Sequence, residues 1–247
     1  KIAIGDNFSY TVTESIFEEN YRDHIDITSG GYGGLISNNV FRNAGRKGFD
    51  IKINESNGYV FEGNKDTYTL TITGNSFYQD DDVGAIVFTS DEFAYLPREY
   101  PDIEFIRSVI ISDNTMYGSR FIDGNAKNIL VANNVHYNAK RILQLNGYYN
   151  NFIGNQVHFV EAIDGASGRN IDGHYSNYIN NSWYGHPTQS NLNVLPMFAF
   201  TYNNGISFKG ESFYDMQSVF QYSGAGDLTN YRLVSCTDLT EENTSLI

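Results

Sequence analysis

The chain has 247 residues, enough to bury one sizeable core, and its four Pro, one Cys and 23 Gly exclude collagen, coiled coil and disulfide-stapled miniprotein. A formal net charge of -13 repels nucleic acid and anionic membrane surfaces, so neither is expected as a partner. Asn occurs 29 times, and 19 Tyr and 17 Phe stand beside a single Trp, a balance that suits turn-rich β structure.

One short pattern recurs from the N-terminus onward: an apolar residue, two small or polar residues, a turn residue, one more, then an apolar residue. It reads Val12–Phe17, Ile36–Phe41, Ile72–Phe77 and Ile111–Met116, then Val131–His136, Ile153–Val157, Ile179–Trp183 and Phe208–Phe213, with a weaker copy ending at Cys236. The turn residue falls at Ser15, Asn39, Asn75, Asn114, Asn134, Asn155, Asn181, Glu211 and Cys236. Most intervals run from about 20 to about 30 residues, the period of a solenoid whose repeats bury their apolar faces only by stacking on one another. Alternating β-branched and aromatic residues, with no 3.6-residue period, predict strands throughout. Asn at a fixed place in successive coils can hydrogen-bond its neighbours in a ladder with the strand spacing of about 4.8 Å.

Between the turns, the alternation assigns faces. In His24–Thr28 and Gly48–Ile53 the apolar residues point inward and Asp26 and Asp50 outward, both eleven residues past their turn. Residues 78 to 108 exceed one rung and are predicted as a lateral loop, and the acidic run Asp80–Asp82 within it reads as solvated rather than as a Ca²⁺ site. Next come Arg120 and Asp123, then Lys140, Arg141 and Gln144, then Glu161 and Asp164. Asp123 and Asp164 share an offset of nine and are expected two rungs apart, about 9 to 10 Å, with the Lys140 to Gln144 group between them. Residues 184 to 196 form a second insertion, beside which Trp183 and Tyr184 are candidates to stack on a ligand. The single Cys236 reads as a small core residue and the His spacing offers no zinc motif, so no metal or other cofactor is expected. No apolar run is long enough to span a membrane, and a start at Lys1 reads as a processed or excised part of a longer protein, residues 1–247 forming one domain.

Coils such as Leu35–Phe41 and Leu130–Val135 resemble rungs of the pectate-lyase-like superfamily of right-handed parallel β-helices. The resemblance implies an all-β solenoid of about nine or ten coils with three strands each and lateral loops. It extends most closely to bacteriophage tailspike polysaccharide depolymerases, which implies an extracellular or virion-surface location and a homotrimer. The pectinase motifs are missing: only Asp81–Asp82 matches, Gly173–His174–Tyr175 and Gly185–His186–Pro187 both depart from Gly-His-Gly, and no Arg-x-Pro-x-x-Arg occurs.

Paired carboxyl groups on an outer wall suit glycoside hydrolysis, which uses a separation of about 5 to 5.5 Å for retention and about 6.5 to 9.5 Å for inversion. The expected function is therefore a glycoside hydrolase gripping an extended polysaccharide. Asp123, Glu161 and Asp164 are the acid/base group, and Asp26 with Asp50 are a reserve pair. Arg120, Lys140, Arg141, Gln144, Trp183 and Tyr184 are the substrate-binding set. A lyase on a uronic-acid polymer, using Lys140, Arg141, Arg120 and a Tyr, and a non-catalytic carbohydrate-binding β-helix are the rivals.

Overall fold

A computed structural model describes residues 2–4, 9–28, 33–52, 70–89, 109–139, 146–159, 170–171, 173–185, 198–200, 205–214, 220–222, 232–234 and 237–238. Among them every element is a strand, and every strand pairing is parallel. The strands form sheets of fourteen, nine and three members, ordered so that each strand pairs with its counterpart one repeat away in sequence. That is the signature of a parallel β-solenoid.

From Ser9 to Lys127 each rung gives one stretch to the nine-stranded sheet and two to the fourteen-stranded sheet. The first of these two rows contains Ile16–Glu18, Val40–Arg42 and the start of Ser76–Thr89; the second contains Ile25–Thr28, Phe49–Lys52 and the end of Ser76–Thr89. Part of the expected lateral loop is thereby corrected. Residues 78 to 89 are not a loop but part of the strand Ser76–Thr89, with Tyr78 and Ile86 to Phe88 paired on both sides. The Asp80–Asp82 run suggested solvent, yet Ile86 to Thr89 pairs in register with Phe49–Lys52. Residues 90 to 108 lie outside the described residues.

The core follows from the alternation. One inward column runs Val12, Ile36, Ile72, Ile111, Val131, Phe152, Tyr178 and Phe208, each in register with the next. A second runs Phe17, Phe41, Phe77, Met116, His136, Val157, Trp183 and Phe213. All but Phe17 are buried, and each fully buried large side chain contributes about 1.5–3 kcal/mol.

The expected Asn ladder stands at the corner between the nine-stranded sheet and the first row. Asn39, Asn75, Asn114, Asn134, Asn155 and Asn181 are all buried, and each donates through Nδ2 to the side-chain oxygen of the next member. The ladder ends on Glu211, whose Oε1 accepts from Asn181 at 3.1 Å. Immediately before every ladder position sits a residue with positive φ: Glu14, Asn38, Gly74, Asp113, Asn133, Gly154, Asn180 and Gly210. The turn demands the left-handed conformation, which explains why six of these eight positions are Gly or Asn. A Cβ on Gly154 would also meet Asn133 Oδ1 at 2.7 Å. Gly154→Ala is therefore expected to cost about 1–2 kcal/mol, whereas Asn133→Gly should stay within about 0.5 kcal/mol of wild type, both read from urea unfolding midpoints.

Candidate functional site

On the second row of the fourteen-stranded sheet, Ala3, Asp26, Asp50, Val87 and Asp123 occupy one column, each in register with the next. Asp26 and Asp50 are therefore direct neighbours, as the equal offsets implied. Asp50 and Asp123 lie two strand spacings apart, about 9.5 Å, with Val87 between them.

The expectation that Asp26 and Asp50 face solvent is corrected. Asp26 is 7% exposed and Asp50 0%, so the alternation turns them away from the core without opening them to water. Lys47 Nζ reaches Asp50 Oδ1 at 2.9 Å, neutralising a carboxylate that would be costly to bury alone. A polymer outside the wall has no direct access to Asp50.

Asp123 is different. Its side chain is 32% exposed and receives Arg120 NH1 at 2.6 Å, an i, i+3 pair along the same strand. Two glycines bracket that pair. Gly118 and Gly124 adopt φ of +147° and +111°, and a Cβ on either would sit 2.0 Å from the carbonyl oxygen of Gln79 or Phe88 on the rung below. The register slips between Gly118 and Arg120, so the bend re-aims the following side chains. Inside the bend, His136 bonds Gly118 O through Nε2 at 2.8 Å. Because a carbonyl can only accept, Nε2 carries the proton. Burial lowers the His136 pKa to about 4, so the imidazole is neutral where it supports the turn. Arg120 sits in register with Gly84, where a Cβ would come within 2.6 Å of Val87 Cγ2.

The first row carries a different outer column, three residues past each ladder Asn. Tyr78, Tyr117, Tyr137, His158, Tyr184 and Tyr214 stack in sequence with ring centroids 5.0, 5.1, 4.9, 4.3 and 4.5 Å apart and interplanar angles no greater than 23°. Arg42 lies over the Tyr78 ring at 5.6 Å and pairs with Glu18 on the preceding rung. Tyr78, Tyr117 and Tyr137 are 37–38% exposed.

Of the residues singled out from sequence, Arg120 and Asp123 are brought together and Tyr184 stands on the outer wall, in the ring stack. Trp183 is placed in the core instead: it is 0% exposed, packs near Tyr178, and donates its indole N–H to Glu211 Oε2 at 2.6 Å. Successive residues on a strand face opposite ways, so Trp183 and Tyr184 cannot both serve a ligand. Lys140, Arg141, Gln144, Glu161, Asp164 and Cys236 lie outside the described residues. Lys47 and the remaining rings of the stack were not singled out from sequence; counting three positions past each turn Asn would have found the stack. Among the described residues no group of three or more His, Cys, Asp or Glu side chains is placed to hold a metal ion.

No protein-family model, curated protein or solved structure matches the chain.

Proposed function

We propose that this protein is a right-handed parallel β-helix of about nine or ten coils that binds an extended polysaccharide along its outer wall and cleaves it by hydrolysis, with Asp123 in the acid/base group. Crossovers between parallel strands of one sheet are right-handed in about 98% of cases, which supports the handedness. The observation that carries the activity is the Arg120–Asp123 pair, the one open carboxylate in an otherwise closed Asp column, held on a backbone bend that two glycines fix. In this reading Arg120 neutralises and orients Asp123, and the second carboxyl that hydrolysis requires is contributed by Glu161 or Asp164. The resemblance of the coils to tailspike depolymerases extends the proposal to a homotrimer at a virion surface.

A second reading is a carbohydrate-binding solenoid without catalysis, favoured by the outer ring stack, a long row of polar ring edges in which the described acidic group, Glu18, is already paired with Arg42. Incubation with a panel of polysaccharides, followed by chain-length analysis, separates the two, because only the enzyme shortens a polymer. Absorbance from unsaturated product ends would mark a lyase. Asp123→Asn is expected to slow cleavage about a hundredfold, the lower range for a lost acid or base, with substrate binding retained. Cleavage at the wild-type rate would remove Asp123 from the reaction.

A further inference from the structure

The outer ring stack carries the inference furthest, because its geometry restricts what can bind. Each ring from Tyr117 to Tyr184 has a neighbouring ring on both faces, at centroid distances of 4.3 to 5.1 Å. Tyr78 has Arg42 on its remaining face. From Tyr78 to Tyr184, the π faces that would stack on a nucleobase, a planar cofactor or the flat side of a sugar are therefore already occupied. What remains for a ligand is a line of ring edges, with a phenol hydroxyl able to donate and accept at five of the six positions. The strands are parallel and the rings repeat near the strand spacing of about 4.8 Å, the stack continuing from Tyr137 to His158 across a register slip between His136 and Ala139.

Charge narrows the choice further. The chain carries -13 overall, and the one cation in this column, Arg42, is paired with Glu18. His158 has its pKa lowered by burial, so protonation near neutral pH adds no positive charge to the row. A polyanion would meet a repulsive overall field, and among the described residues of the row no cation other than the Glu18-paired Arg42 compensates it.

We infer that the Tyr78–Tyr117–Tyr137–His158–Tyr184–Tyr214 row is the binding ridge for an uncharged, hydroxyl-rich polysaccharide lying parallel to the solenoid axis. This rests on the polysaccharide reading above and deepens it by choosing neutral polymers over uronic-acid ones. Hydroxyl groups of successive sugars exchange hydrogen bonds with successive phenols, and ring-edge C–H groups cover the apolar parts of the polymer. The exposed Glu18 and Arg42 at one end of the row give it a polarity that a directional polymer can match.

Gel electrophoresis through soluble β-glucan, through mannan and through polygalacturonate tests this. Wild type is expected to be retarded by at least one of the two neutral polymers and not by polygalacturonate. Tyr117→Phe with Tyr137→Phe keeps the rings and the stack and removes two hydroxyls, each the size of one neutral hydrogen bond. Affinity should fall about fivefold per hydroxyl with the melting temperature unchanged. Tyr117→Ala with Tyr137→Ala, whose fold is checked by circular dichroism, should abolish retardation. Retardation by polygalacturonate alone, no retardation by either neutral polymer, or equal retardation of the Phe variant each overturns the proposal. The two proposals fail separately: retardation by a neutral polymer that the wild-type protein leaves uncut sinks the hydrolase and keeps the ridge. Cleavage that is indifferent to the Phe variant does the reverse.

Discussion

Asn134→Ala is expected to lower the unfolding free energy by about 4 kcal/mol, the largest loss from any single side chain considered in this molecule. Asn134 is 1% exposed, and its Oδ1 accepts both the backbone N–H and the Nδ2 of Asn114 at 3.0 Å. Its Nδ2 donates to the carbonyl oxygens of Ile111 and Ala132 and to Asn155 Oδ1. Alanine leaves the Asn114 donors and the Ile111 carbonyl on the rung below without this partner, closed off from water, while Asn155 Oδ1 on the rung above keeps only the backbone N–H of residue 134. Each such buried polar group costs about 1–3 kcal/mol when unpaired, and the neighbouring Asn cannot turn to help because their own bonds are committed. Asn134→Asp has the same shape but cannot donate, and it sets a carboxylate oxygen against Asn155 Oδ1, so it should be at least as damaging. Chemical denaturation of the two variants beside Asn133→Gly gives the comparison. A loss of less than about 1 kcal/mol for Asn134→Ala would mean that the ladder is decorative.

Glu211 should make stability fall as pH rises. Its side chain is buried, and burial pushes its pKa from 4.5 up to about 7 even though Trp183 and Asn181 donate hydrogen bonds to it. Between those values the native state keeps a proton that the unfolded chain has released, so raising the pH through this window destabilises the fold by about 3 kcal/mol. His136 works in the opposite sense. Its pKa is lowered from 6.5 to about 4, so the unfolded chain binds the proton first and stability falls as pH drops through that range. The two slopes partly cancel in the wild type, and the Glu211→Gln variant separates them. Gln still accepts from Asn181 but turns an amide N–H toward the Trp183 indole N–H, a mismatch that subtracts a constant at every pH. On top of that constant, the difference between variant and wild type should move in favour of Gln by about 3 kcal/mol from pH 5 to pH 8. Urea unfolding at three or four pH values measures it. A difference that does not change with pH would show that the carboxyl is already solvated or already ionised throughout.

The turn column was legible because the residue that makes the turn also makes the ladder: positions 39, 75, 114, 134, 155, 181 and 211 were read from sequence and all seven carry the hydrogen-bonded side chain. Columns further along a rung were less legible, because corners differ in length. Asp26 and Asp50 stand eleven residues past their turns, but Val87 stands twelve past Asn75 and Asp123 nine past Asn114, so a shared offset does not bring Asp123 into the column with Asp50. Alternation told which way Asp50 points and not what covers it. It also left Trp183 and Tyr184 as joint candidates, although adjacent residues of one strand must part. The acidic Asp80–Asp82 run hid a rung because local polarity outweighed the better-patterned residues that follow.

The amides of the ladder all point one way. Every side-chain oxygen faces the rung before it and every side-chain nitrogen the rung after, so six dipoles add head to tail and the partial positive end accumulates toward the C-terminal coils. An Asn at the last place would carry the same donor one step further. Once ionised, above the value of about 7 to which burial raises it, Glu211 has only acceptors, so it closes the series where it stands and sets a countercharge against the electropositive end of the wire.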